Sequence, residues 1–160
     1  MIHHISIAAQ NPQHVAGVLA ELFQGKAVPF PHNPGSYMAV AVDKDLACVQ
    51  VYPLGTQIIP GSGQRGCTFE QNPQPVQFTA FHASIFVPIG QAEIEKIGAR
   101  EGWRVVRCRR AGLVDEIEFW VENRLMLELV PPELTDRFLA VARDPNVLKQ
   151  LLGETVAEIA

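Results

Sequence analysis

Four residues in this chain have types and spacings that could do chemistry: His4, Gln50, His82 and Glu128. His4-Ile5-Ser6-Ile7 and His82-Ala83-Ser84-Ile85 share a His-x-Ser-Ile pattern, 78 positions apart. Val49-Gln50-Val51-Tyr52-Pro53 and Leu127-Glu128-Leu129-Val130-Pro131 match at the same offset. Two weak similarities at one common spacing read as an internal duplication. His, His and Glu from separate strands form the two-histidine, one-carboxylate set that binds a divalent metal and leaves positions open. Gln50 could add a fourth, neutral oxygen. Glu128 stands in the apolar run Leu125-Met-Leu-Glu-Leu-Val130, where a carboxylate needs a metal or a buried cation.

The elements that must position these residues follow from periodicity. Ile2–Ala9 alternates as a strand, with His4, Ser6 and Ala8 on one face. Asn11-Pro12 starts a helix that Gly25 ends, with Val15, Val18, Leu19, Leu22 and Phe23 at helical spacing. Lys26–Ser36 holds three prolines and is a broken strand or loop. Tyr37–Val42 and Leu46–Tyr52 are strands around an Asp43-Lys44-Asp45 turn. Pro53–Gln77 is a Gly-, Pro- and Gln-rich linker or lid that Cys67 and Phe69 could tuck down. Phe78–Val87 is a strand, Gln91–Glu101 a helix closed by Gly102, and Trp103–Arg109 and Glu116–Glu122 are strands separated by an Ala111-Gly112 turn. Glu122-Asn123-Arg124 turns into the strand Leu125–Val130. Helical segments follow at Pro132–Ala142 and Asn146–Leu152.

Both halves therefore read β-α-β-β-β. The fold class is α+β: two βαβββ modules in tandem, forming a curved mixed sheet around a concave metal site. The modules span 1–53 and 78–131, with a linker or lid at 54–77 and a C-terminal helical tail at 132–160, all in one structural domain. Alternation puts His4 with Ser6, His82 with Ser84, Cys48 with Gln50 and Tyr52, and Met126 with Glu128 on the face turned from the helices. Ser6, Ser84, Cys48 and Met126 are thus candidate substrate-binding residues. Arg104, Arg107, Arg109 and Arg110 cluster on one strand and its turn. They read first as protection of an exposed edge. The functional alternative is that Arg107 and Arg109 bind a substrate carboxylate or phosphate. His14 and His32 read as surface residues, and one of Phe119 and Trp120 packs the core.

Composition sets outer bounds. The apolar share is 48%, the charged share 19% and the net charge −4, with no polybasic run to attract nucleic acid. Cys48, Cys67 and Cys108 are odd in number and lack CxxC spacing, which points to reduced thiols in the cytoplasm. No apolar run reaches membrane-spanning length and no signal peptide is evident.

A βαβββ repeat with His in the first strand and Gln or Glu in the last resembles the vicinal-oxygen-chelate superfamily. That group includes glyoxalase I, methylmalonyl-CoA epimerase, extradiol dioxygenases, and fosfomycin- and bleomycin-resistance proteins. The resemblance covers about residues 1–53 and 78–131. It implies one divalent ion (Zn, Ni, Co, Mn or Fe) on His4, Gln50, His82 and Glu128, a set most like that of the epimerase. It implies an enzyme acting on a small substrate with vicinal oxygens through an enediolate or enolate, of isomerase, epimerase or lyase type. Glu128 would double as a proton acceptor, and Tyr52 is the second acid–base candidate. The alternatives are a metal-free small-molecule binding or drug-sequestering protein of the same fold, and an extradiol-type dioxygenase. A homodimer is expected, with no nucleic-acid or membrane partner.

Overall fold

A computed structural model describes residues 2–42, 47–110 and 114–147. The chain divides into two compact units. The first runs to Phe81 and takes in Trp120–Leu125; the second holds His82–Phe119 and the chain from Met126 onward.

The first unit opens with β1 (His4–Ala9) and α1 (Pro12–Leu22), then β2 (Lys26–Pro29), β3 (Tyr37–Val40) and β4 (Cys48–Pro53). The sheet order is β1-β4-β3-β2, with β1 and β4 parallel and the other pairs antiparallel. The Asn11 side chain caps α1 by accepting the His14 N–H at 3.2 Å, and Pro12 takes the first turn, where no donor is lost. Val15, Val18, Leu19 and Leu22 are buried, as are Ile7, Ala39, Val49 and Val51 of the sheet. Each of the Val, Leu and Ile side chains contributes roughly 1.5–3 kcal/mol of burial. The helix ends at Phe23, and Gln24, not Gly25, takes the left-handed conformation (φ 50°). Gly25 is required for another reason: a Cβ there would overlap the Val40 carbonyl.

The segment after β4 is not a bare linker. It forms a two-stranded antiparallel hairpin, β5 (Thr56–Ile59) with β6 (Thr68–Gln71). Its mouth is closed by Asn72 N–H donating to Gly55 O at 2.8 Å and Gln71 Nε2 donating to Leu54 O at 2.6 Å.

The second unit repeats the plan with β7 (Ala83–Phe86), α2 (Gln91–Glu101), β8 (Val105–Arg110), β9 (Val114–Val121) and β10 (Leu125–Val130), followed by α3 (Pro132–Ala142). The order β7-β10-β9-β8 matches that of the first sheet, and β7 and β10 are again parallel. Ile94, Ile97, Ile117, Phe119, Leu127 and Leu129 form its core. Phe119 is the fully buried aromatic and packs edge-on against Trp103, while Trp120 is half-buried. Gly102 closes α2 in the left-handed conformation (φ 67°).

The elements differ from expectation mainly at their ends. The strand expected over 78–87 is confined to Ala83–Phe86, and Phe78 stays 61% exposed. A run of apolar residues without a pairing partner does not extend a ladder. Lys26–Pro29 pairs with Tyr37–Val40 despite Pro29, as an edge strand allows. The expected turns at 43–45 and 111–112 lie outside the described residues, as do 148–152 of the last expected helix; 145–147 are helical. No helix among the described residues is long and apolar enough to cross a membrane.

Candidate functional site

Both parallel strand pairs carry the same register. Ser6 faces Gln50 across β1 and β4, and Ser84 faces Glu128 across β7 and β10. Each histidine stands two residues before its serine; His4 lies within β1 and so shares the face of Ser6. His4 aligns with Cys48. His82 immediately precedes β7. Both histidines are exposed.

In the first unit this face is neutral and tightly hydrogen-bonded. Gln50 Oε1 accepts from Tyr52 OH at 2.9 Å and from Ser6 Oγ at 3.2 Å. The Tyr52 ring stacks on Phe69 of β6 at 5.5 Å and meets Phe30 edge-on at 6.0 Å. Phe69 therefore ties the hairpin down onto Tyr52. Tyr52 is 6% exposed, and burial pushes its phenol above the usual value; the Ser6 hydroxyl works against this and the Cys67 thiol with it. The phenol holds its proton at neutral pH and is a hydrogen-bond donor there. Burial also raises the Cys48 thiol, which makes it a small wall residue rather than a nucleophile. The His3 and His4 rings meet edge-on at 5.7 Å.

The second unit's face is ionic. The Arg110 guanidinium of β8 reaches Glu116 at 2.5 Å and Glu118 at 2.8 Å on β9, and Glu128 at 3.2 Å on β10. Met126 Sδ lies 3.6 Å from the same nitrogen as Glu128. Glu116 is 3% exposed. Its carboxyl is raised above the usual range, first by burial; Arg110 opposes this and Glu128 adds to it. Sequence reasoning missed Glu116 and Glu118. Their two-residue alternation on one strand was the available indication, since it puts both on the face that carries Glu128.

Arg107 and Arg109 are engaged along the sheet's edge strand β8. Arg107 pairs with Asp115 at 3.0 Å and donates to Gln91 Oε1 at 3.2 Å; Arg109 lies 3.9 Å from Asp115. The Arg107 hydrogen bond is the main reason Asp115 is held below its ordinary value. Both guanidiniums thus have a carboxylate partner in the edge strand's own hairpin. His14 and His32 are exposed, as expected.

A metal is implied by the resemblance, and the donors can be tested for it. In the first unit the register puts the His4 imidazole and the Gln50 amide on one face of two parallel strands; in the second, His82 stands just ahead of the strand that pairs with Glu128's, and imidazole with carboxylate suits a divalent first-row ion. Gln50 fits less well than its sequence position implied. Its oxygen is taken by two hydroxyls, which leaves the NH2 end, and an amide nitrogen is no metal ligand. Among the described residues, no three His, Cys, Asp or Glu side chains are gathered as an evident metal cluster.

No family model matches the sequence, and no curated protein does. Solved structures do match. The fosfomycin resistance protein FosX from Listeria monocytogenes superposes with a TM-score of 0.52 at 13% identity, over 86% of this chain and 97% of that one. The same protein complexed with Mn(II) and sulfate gives 0.54 at 12% identity, over 88% and 96%. A glyoxalase-family protein from Bacillus anthracis gives 0.51 at 15% identity, over 82% and 93%. At such identities the likeness concerns the fold, which this chain shares with those fosfomycin-resistance and glyoxalase-family structures.

Proposed function

We propose that the chain is a divalent-metal-dependent enzyme acting on a small substrate with two neighbouring oxygens, of isomerase, epimerase or lyase type. The observation that carries this reading is the repeated register, Ser6 with Gln50 and Ser84 with Glu128, each serine with a histidine two residues upstream in sequence. His4, His82 and Glu128 are the proposed ligands. When bound, the ion would act as a Lewis acid on the substrate oxygens and stabilise negative charge developing there.

The chain's own residues would do the rest. Gln50, fixed through its oxygen by Ser6 and Tyr52, presents its N–H groups as donors to a substrate oxygen. Tyr52 keeps its proton and serves as a donor or acid, not as a base. Glu128 is the candidate proton acceptor, with the Arg110 guanidinium 3.2 Å away. Phe69 on the hairpin shields the Tyr52 side of the first unit from water. A homodimer in the cytoplasm belongs to the same reading.

The test is the metal content of protein purified without added metal, then reloaded with Mn(II), Zn(II), Ni(II) or Fe(II). About one ion per chain is expected, and its loss in both His82→Ala and Glu128→Gln. Loaded protein would then be screened on 2-oxo acids, acyl-CoA esters, catechols and fosfomycin, the last because the FosX structures share the fold. No uptake of any of the four ions would sink the enzyme reading. One observation favours a second reading, a metal-free small-molecule binding protein: the Glu128 carboxylate already has a cation in Arg110. That reading expects ligand-induced thermal stabilisation that chelators leave intact.

A further inference from the structure

The first unit holds a cavity of about 290 Å³ that the proposed reaction does not use. It lies between β1, the mouth of the β5–β6 hairpin and the irregular segment that follows, and it is bounded by Arg124 and Leu125. Ile7, Leu54, Val76 and Phe81 give it an apolar wall. Arg124 is the one charged residue that lines it. Its Nη2 donates to the Val76 carbonyl at 3.0 Å, which fixes the guanidinium at the wall. Among the described residues Arg124 pairs with no carboxylate. The nearest acidic residue in sequence, Glu122, is committed elsewhere: its two oxygens accept the Gln10 and Asn11 N–H groups at 2.7 and 3.0 Å.

We propose that this cavity is a binding site for a small organic anion, a carboxylate or phosphate on an apolar body of single-ring size, with Arg124 as its counter-ion. A guanidinium has five N–H donors in a fixed fork, and one carbonyl uses only part of them. The remainder suit a carboxylate or phosphate bidentately. The volume lies at the small end of ligand sites and suits an anionic group on a body of single-ring size. Thr79 and Asn72, also lining it, supply neutral hydrogen-bonding groups. Ser6 borders the cavity and also holds Gln50, so an occupant would sit beside the hydrogen-bonded cluster of the first unit.

The experiment uses the full chain, treated with chelator, so the outcome is independent of any metal. Benzoate, indole-3-acetate and phenyl phosphate are titrated by calorimetry and by NMR, with benzamide as the uncharged counterpart of benzoate. At least one anion is expected to bind, with amide shifts centred on Thr79 and Arg124. If benzoate is the binder, benzamide is expected to be weaker by roughly tenfold or more; for any binder, Arg124→Gln should cost a similar factor and Arg124→Lys less, because a point charge replaces the fork. Three results would overturn the proposal: no binding of any of the three anions, benzamide binding as tightly as benzoate, or shifts that map away from the cavity. The wild-type titrations and the Lys variant decide the matter even if Arg124→Gln does not fold.

Discussion

Arg110 holds three carboxylates within 3.2 Å, and one of them, Glu116, is almost wholly removed from water. A buried carboxylate is tolerated only when it is paired and hydrogen-bonded. Arg110→Met keeps the length and apolar stem of the side chain but leaves Glu116 without its cation. The expected cost is about 3 kcal/mol at pH 8, read from urea denaturation. The sign of the pH dependence follows from Glu116, whose folded-state carboxyl is raised above the ordinary 4.5, chiefly by burial. A raised group favours the folded state below its unfolded value, and that contribution is lost as pH rises through the folded value. In the variant the folded value rises further, so its deficit should be largest in alkali and shrink towards pH 5. Glu116→Gln should cost less than Arg110→Met, because no charge is then left buried. Equal stability of Arg110→Met and wild type at pH 8 would remove the argument.

At the scale of the elements, both sheet-covering helices begin against a carboxylate from a distant part of the chain. Glu122 takes the Gln10 and Asn11 N–H groups at the start of α1, and Glu133 of α3 takes the Gln91 N–H of α2 at 2.7 Å. The second case matters more, since Gly90 has no side chain with which to cap α2. Glu133→Ala should therefore cost about 1 kcal/mol in thermal or urea unfolding. The Gln91 N–H is also the main reason the Glu133 carboxyl lies below its usual 4.5. A depressed carboxyl contributes stability above its unfolded value and loses it as pH falls through the folded one. Wild type and Glu133→Ala should thus converge in stability below pH 4. Neither contact was legible in the sequence, because the Glu133 partner is 42 residues away and the Glu122 partners more than 110. What was legible was local: Asn11-Pro12 and Gly102 mark helix ends by their own conformational preferences. The β5–β6 hairpin was not, because Thr56–Ile59 and Thr68–Gln71 are four-residue strands eight residues apart, embedded in Gly- and Pro-rich chain. Cys67 and Phe69 were the sequence's indication that this segment folds back, and it is Phe69 that stacks on Tyr52.

At the scale of the molecule, the two units share one strand order and one register, and have diverged in what they put on the common face. The duplication could be read from the sequence because parallel pairing places matching residues at a constant spacing, which strand pairs preserve even when most side chains change. The chemistry of the faces could not, because it depends on which neighbour each polar atom finds. The amide of Gln50 found two hydroxyls, and the carboxylate of Glu128 found a guanidinium. The second contact has a consequence for metal uptake. A cation 3.2 Å from Glu128 competes with any ion that needs the same carboxylate, since like charges at that range repel strongly outside bulk water. Arg110→Gln should therefore bind Mn(II) more tightly than wild type, by roughly tenfold, although it starts from a lower melting temperature. Binding to the folded state raises stability by RT ln(1 + [L]/Kd), so the two proteins' melting temperatures should approach one another as Mn(II) is added. Glu128→Gln in the Arg110→Gln background should abolish the rise. Parallel Mn(II) titrations of wild type and Arg110→Gln would mean that the guanidinium is a structural clasp which metal binding leaves undisturbed, and Glu128 would then lose its place among the ligands.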